Sequence, residues 1–161
     1  MKINNFSCIV LVIFLCISCS KKTLQKSVIN EKSLDLQVLE AYKEGVDSLE
    51  AGDVLYAAKK FNEAEVLFPQ SVWAPKSALM AAYSYYAQDY YGDAIAELER
   101  FKKVYPKHKN IDYANYLLAI CYYEQIVDEK KDLQSIVNAK KNFNIVLKNY
   151  PNTEYAIDAE F

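Results

Sequence analysis

Glycine and proline are scarce, three and four among 161 residues, where an average chain carries roughly 12% of the two together. Sandwiches, barrels and Rossmann-type folds need many such turns and glycine-rich loops, so the scarcity excludes them and leaves long helices joined by short connections. An all-α protein is expected. Basic residues are not in excess either: 19 Lys and Arg stand against 21 Asp and Glu, a net charge of −2. That leaves no electrostatic footprint for nucleic acid, which is not an expected partner. The chain has one histidine, His108, set between lysines in Pro106-Lys107-His108-Lys109-Asn110. It has no glycine-rich phosphate loop, no paired Cys-x-x-Cys motifs and no His-Glu-x-x-His, so no catalytic, cofactor-binding or metal residue is assigned and the protein is expected not to be an enzyme. Glu97 and Glu99 fall on different faces of one helix and read as solvated charges. What is abundant is apolar surface, 52% of residues, and tyrosine: fourteen against seven phenylalanines and one tryptophan.

Only the amino terminus carries a long apolar run. Lys2, a polar pair and then Cys8-Ile9-Val10-Leu11-Val12-Ile13-Phe14-Leu15 make a charged n-region and an h-region too short to span a bilayer permanently. The run closes on Cys16-Ile17-Ser18-Cys19 and turns polar at Ser20-Lys21-Lys22. This resembles the bacterial lipobox, in which a small residue precedes a cysteine that is lipidated and becomes the new first residue. Cys16 stands where leucine is usual. The expectation is a signal peptide over 1–18, a covalent lipid on Cys19 and no other cofactor; ordinary signal cleavage nearby, leaving a soluble periplasmic protein, is the alternative. By resemblance to the lipoprotein sorting rule, Ser20 in place of an aspartate favours the outer membrane. Residues 19–36 are polar and form a tether, about 20–25 Å root-mean-square for a flexible segment of that length. Once the signal and Cys19 are set aside, Cys121 is the remaining cysteine. It lies in the apolar stretch Leu117-Leu118-Ala119-Ile120-Cys121 and reads as a small buried hydrophobe, without a disulfide.

From about residue 37 the chain repeats. Ala57, Ala94 and Ala139 are each followed by a large apolar residue at +4 (Phe61, Leu98, Phe143), an apolar residue at +7 (Ala64, Phe101, Val146) and proline at +12 (Pro69, Pro106, Pro151). On a helix +4 and +7 share the alanine's face, the alanine permits close crossing, and the proline ends the helix. This register is the tetratricopeptide repeat, a helix-turn-helix unit of 34 residues. Gly45 and Gly52 stand where the repeat places glycine, and the second unit carries Ala82 and Asp89 there. Helices are predicted over about 37–50, 54–68, 72–87, 90–105, 112–126 and 135–149, with Asp53, Ser71, Asn110 and Asn152 as candidate caps. The expected domain over 37–161 is a right-handed superhelical solenoid of about three repeats (38–71, 75–108 and 112–151) plus the start of a fourth. A charged loop is inserted at about 127–134.

In this repeat, positions 2, 5, 9 and 12 of the first helix line the concave side. They are Leu39, Tyr42, Val46 and Leu49 in the first unit, Lys76, Leu79, Tyr83 and Tyr86 in the second, and Tyr113, Tyr116, Ile120 and Tyr123 in the third. Tyr42, Tyr83, Tyr86, Tyr113, Tyr116 and Tyr123 are therefore the candidate peptide-binding groove; a terminal segment or long connection folding back to fill it is the alternative. Tyrosine suits such a groove because an apolar ring with a hydroxyl tip packs against a partner and satisfies its own polar atom. Tyr85 and Tyr122 take the position used for packing within the repeat.

Tyr83-Ser84-Tyr85-Tyr86, Arg100-Phe101, Pro106-x-His108-x-Asn110-Ile111-Asp112-Tyr113-x-x-Tyr116 and Tyr150-Pro151-Asn152-Thr153-x-Tyr155-Ala156-x-Asp158-Ala159 resemble the BamD family. The resemblance implies a non-catalytic lipoprotein of the β-barrel assembly machinery, on the periplasmic face of the outer membrane. Its implied partners are unfolded β-barrel outer membrane proteins, recognised through an aromatic-ended carboxy-terminal signal, and BamA with the other assembly subunits. That family has five repeats, so the expectation is a fragment without the main BamA-docking repeats. A generic repeat scaffold for cell-envelope or cell-division complexes is the second reading.

Overall fold

The computed structural model describes residues 33–128 and 132–160. The expected signal peptide, Cys19, nearly all of the tether and residues 129–131 of the inserted loop lie outside them. Among the described residues there is no strand. Seven helices follow in order among the described residues: α1 (Leu34–Glu50), α2 (Val54–Leu67), α3 (Ala74–Tyr86), α4 (Tyr91–Val104), α5 (Ile111–Glu124), α6 (Leu133–Asn149) and α7 (Glu154–Glu160). Each packs on the next, and α7 also touches α5, the neighbour-on-neighbour arrangement of a tetratricopeptide-type helical repeat. The first helix begins earlier than its apolar periodicity suggests. Ser33 caps it, accepting the Leu36 N–H at its side-chain oxygen at 3.4 Å, so the tether gives up its last residues to α1.

The repeated alanines and their +7 partners are buried: Ala57, Ala94 and Ala139 with Ala64, Phe101 and Val146. At +4, Phe61 and Leu98 are buried and Phe143 is half-buried. The first two units solve the close crossing in complementary ways. A methyl group at Gly45 would stand 2.8–3.1 Å from the Phe61 ring, so the full phenyl ring fits only because Gly45 has no side chain. In the second unit the smaller Leu98 shares its cluster with Ala82.

Turn chemistry repeats as faithfully as the core. Phe68, Tyr105 and Tyr150 each end a helix outside the α region, with φ of −147°, −121° and −134°, the departure from α that a following proline favours. Each carbonyl then accepts the N–H three residues on: Ser71 at 2.9 Å, His108 at 3.0 Å and Thr153 at 3.1 Å. These are β-turns with proline at their second position. The residue closing each turn also feeds the next helix. Ser71 Oγ accepts the Ala74 N–H at 3.2 Å and Thr153 Oγ1 accepts the Ala156 N–H at 3.3 Å, while His108 Nδ1 accepts the Asn110 N–H at 3.3 Å.

Two expected caps therefore shift. Asn110 sits at the N-cap of α5 without a side-chain capping bond, the Tyr113 N–H of the first turn being accepted by Asp112 Oδ1 at 2.8 Å, and Thr153 acts in place of Asn152. Asp53 does cap α2, accepting the Tyr56 N–H at 3.1 Å. The connections from α1 to α2 and from α3 to α4 match in the same way. Gly52 has φ of 82° and Asp89 φ of 61°, the positive-φ residues among those described. In each, the next residue's N–H reaches back five residues, Asp53 to Ser48 at 2.9 Å and Tyr90 to Tyr85 at 3.0 Å, the Schellman closure.

Candidate functional site

An ion pair between a buried glutamate and a half-buried arginine ties the first unit to the second. Glu65 lies eight residues after Ala57, on the apolar face of α2, and is 6% exposed. Arg100 of α4 donates to both its oxygens, Nη1 to Oε1 at 2.9 Å and Nη2 to Oε2 at 2.6 Å, and Tyr105 Oη donates to Oε1 at 2.7 Å. Arg100 Nε also donates to Glu97 at 2.9 Å. The hydrogen bonds to Glu65 hold the Arg100 guanidinium charged, and burial followed by the bond to Glu65 pushes the Tyr105 phenol above its usual range. A carboxylate this deep needs such a fork of donors, since an unpaired buried charge is costly. Glu97 and Glu99 are thus not merely solvated: Glu99 accepts from Tyr122 Oη at 2.9 Å. The network anchors Tyr105, the residue that opens the turn leading to His108, Lys109 and Asn110.

That turn forms one wall of a cleft of about 430 Å³ lined by Tyr42, Lys76, Leu79, Met80, Tyr83, Lys109, Asn110 and Tyr113. Three of the six candidate tyrosines meet there, one from each of α1, α3 and α5. Tyr42 is half-buried, its ring 5.3 Å from Phe61 and 5.0 Å from Trp73, so one edge is structural and the other faces the cleft. Tyr83 is 38% exposed. Tyr113 is half-buried, and burial pushes its phenol well above the usual range. Lys76 places its Nζ 4.7 Å from the centre of the Trp73 ring.

The other three candidates lie elsewhere. Tyr86 packs against the core of the second and third units, 6.1 Å from Tyr91. Tyr116 is stacked on Tyr155 of α7 at 5.3 Å and meets Phe143 edge-on at 6.4 Å. Tyr123, 57% exposed, lines a second hollow of about 1080 Å³ formed by α5, α6 and α7 together with the loop after α5. The first-unit positions Val46 and Leu49 pack against the core of Ala57, Phe61 and Ala81. The concave register thus places side chains on one side of the array, but the described helices divide that side into a cleft, a packed tyrosine stack and a second hollow.

Reactive chemistry finds little support. Cys121 is fully buried, and burial pushes its thiol up to about 12, which makes it inert at neutral pH. His108 packs edge-on against Phe101 at 5.6 Å. Burial first, then Lys109 and Lys76, hold its imidazole below the usual value. Among the described residues no group of three His, Cys, Asp or Glu side chains could hold a metal ion, and no helix is long and apolar enough to cross a membrane. The Glu65 network and Lys109 were not expected from the sequence, whereas Lys76 stands at one of the expected concave positions. A glutamate at +8 of an apolar helix face, beside the buried Ala64, is the signal that could have pointed to a buried partner.

Residues 34–161 match the family model YfiO, described as outer membrane lipoprotein. The chain is 42% identical over 118 residues to a Caulobacter vibrioides protein named outer membrane protein assembly factor BamD, covering 73% of this chain and 39% of that protein. Proteins of the same name from Rickettsia prowazekii and Neisseria gonorrhoeae are 34% and 31% identical. Those matches cover 73% and 78% of this chain, and 47% and 51% of the relatives. The chain spans about two fifths to half the length of these curated relatives. With the match running across every described helix, this chain belongs to the YfiO/BamD family of outer membrane lipoproteins.

Proposed function

We propose that the chain serves outer membrane protein assembly as a non-catalytic binding subunit. In this reading Cys19 carries the lipid once 1–18 are removed, and the tether holds the repeats at the periplasmic face of the outer membrane. The tyrosine-lined side receives an extended, aromatic-ended segment of an unfolded β-barrel protein, and BamA with the other assembly subunits takes it onward. The observation that carries the reading is the convergence of Tyr42, Tyr83 and Tyr113, from three successive units, on one cleft. The cleft offers apolar rings with polar tips and no group poised for covalent chemistry, which suits binding and release of a flexible chain. The relatives' shared name, outer membrane protein assembly factor, supports the same role.

A photoactivatable cross-linker placed at Tyr83 tests this directly. Adducts with unfolded β-barrel precursors are expected; adducts only with cell-division or cell-wall proteins would replace the reading with that of a general scaffold. Lipidation is tested separately, by metabolic labelling with a fatty acid. Label is expected on the wild-type chain and lost in Cys19→Ser; label that survives the substitution removes Cys19 from its role.

A further inference from the structure

The two ends of the helical array differ in charge. Contacts between neighbouring helices gather the proline turns at one end: Phe68 packs on the cluster of Val38, Ala41 and Ala64, Tyr105 Oη reaches Glu65, and the rings of Tyr113 and Tyr155 lie 5.4 Å apart. The start of α1 belongs to this end, so whatever precedes Ser33 in the chain is attached there. The opposite end is built from the connections after α1, α3 and α5, the first two joined by Gln88 Nε2 donating to the Gly52 carbonyl at 3.5 Å. It carries Asp47, Glu50, Asp53, Asp89, Asp93 and Glu124, with no lysine or arginine among its described residues. The proline-turn end carries Lys76, Lys103, Lys107, Lys109 and Lys148, all exposed. Its acids are fewer: Glu65 is taken by Arg100, Asp112 accepts the Tyr113 N–H, and the others are Asp35 and Glu154. Helix dipoles do not explain this division. They favour acids in a first turn and bases in a last turn, yet α1 ends on Asp47 and Glu50 and α5 on Glu124 with no base in either last turn, and α3 opens with Lys76 and no acid. Exposed apolar residues occur at both ends, Val72 and Val104 at one and Leu55 and Val127 at the other, so charge is what separates them.

We propose that the proline-turn end is the face this protein turns to the membrane, its lysines resting on anionic lipid headgroups with Val72 and Val104 among them. The inference rests on the reading that the amino terminus attaches the chain to a membrane, and it adds which face of the repeats meets the lipid. Two observations choose lipid as the occupant. Residues 19–36 enter the repeats at this end, so an anchor on them draws the lysines, and not the acids, toward the bilayer, within a reach of about 20–25 Å. The lysines also come from successive turns and make a broad field instead of a pocket around one ligand, which is how basic segments are held by an anionic leaflet, over a Debye length of about 8 Å. The same surface repels the acids of the far end, so the field orients the array as well as holding it.

The test places the full chain in vesicles of phosphatidylethanolamine with phosphatidylglycerol, and separately in vesicles of phosphatidylcholine, and follows lysine acetylation residue by residue with mass spectrometry. An ammonium on an anionic surface is both shielded from the reagent and kept protonated, so Lys103, Lys107, Lys109 and Lys148 are expected to react about threefold more slowly in the anionic vesicles. Lys43 and Lys141, exposed at mid-helix, should react equally in both, and added salt should erase the difference. Lys107→Gln with Lys148→Gln should weaken the slowing at Lys103 and Lys109, while Lys107→Arg with Lys148→Arg keeps it. Equal rates in the two vesicles would overturn the inference, as would slowing that extends to Lys43 and Lys141. So would protection that appears in native membranes but not in pure lipid, since a protein would then cover this end. Each of these leaves the amino-terminal attachment standing, provided the chain floats with both vesicles; a chain that floats with neither overturns both readings.

Discussion

Gly45 and Glu65 show how single side chains set the spacing of this array. A methyl group at Gly45 meets the Phe61 ring at 2.8 Å, and overpacking of this kind costs about 1–3 kcal/mol, more than the roughly 1 kcal/mol that alanine gains over glycine in a helix. Gly45→Ala should therefore lower the urea midpoint. Adding Phe61→Leu, which recreates the Ala82 and Leu98 pairing of the next unit, should recover stability relative to the sum of the two single changes by roughly 1 kcal/mol. Strict additivity in that cycle would refute the complementarity. At Glu65 the consequence is electrostatic. Glu65→Gln keeps the shape but leaves Arg100 with Glu97 as its remaining charged partner, and a loss of about 1–3 kcal/mol is expected from chemical denaturation. No measurable change would mean that solvent reaches Arg100 well enough to replace the pair. Neither residue's partner could be read directly from the sequence, because Gly45 and Phe61 meet across two helices and Glu65 and Arg100 are 35 residues apart.

The connections between helices were far more legible. An aromatic residue, a proline and then Ser71, His108 or Thr153 recur at matching places, and each set builds the same turn, because such a turn is decided by four adjacent residues. Asp89 could be matched to Gly52 from spacing alone, and both adopt positive φ. The two positions should respond oppositely. Gly52→Ala forces a side chain into the left-handed region and should cost about 1 kcal/mol or more, whereas Asp89→Gly should be neutral or stabilising despite losing the 2.7 Å bond from Tyr91 Oη. Thermal unfolding of the pair decides it; equal losses would contradict the assignment.

His108 adds a pH dependence to its turn. Its folded pKa is lowered, so the unfolded chain binds the proton more readily, and stability falls as pH drops from the ordinary histidine value through the folded one. Protonation at Nδ1 also ends its acceptance of the Asn110 N–H. His108→Ser, which copies Ser71, should hold its melting temperature between pH 7 and 5 better than the wild type. Parallel melting curves for the two would count against this role.

Across the whole array, the amino-acid sequence determined the helical class, the repeat register, the turns and the buried face. Each follows from short-range rules: a period of 3.6, proline after a helix, a left-handed residue at its close. Which tyrosines share a surface was decided only in three dimensions. The repeat register assigns six of them to one side, yet Tyr116 is stacked beneath Tyr155, Tyr86 packs against a core, and Tyr123 lines another hollow. Only Tyr42, Tyr83 and Tyr113 face one cleft, beside Lys76, which the register also put on the concave side, and Lys109, which it did not. A register states the direction in which a side chain leaves its helix. What that side chain meets depends on the crossing of neighbouring helices and on residues supplied by the next turn, and those are properties of the packed chain.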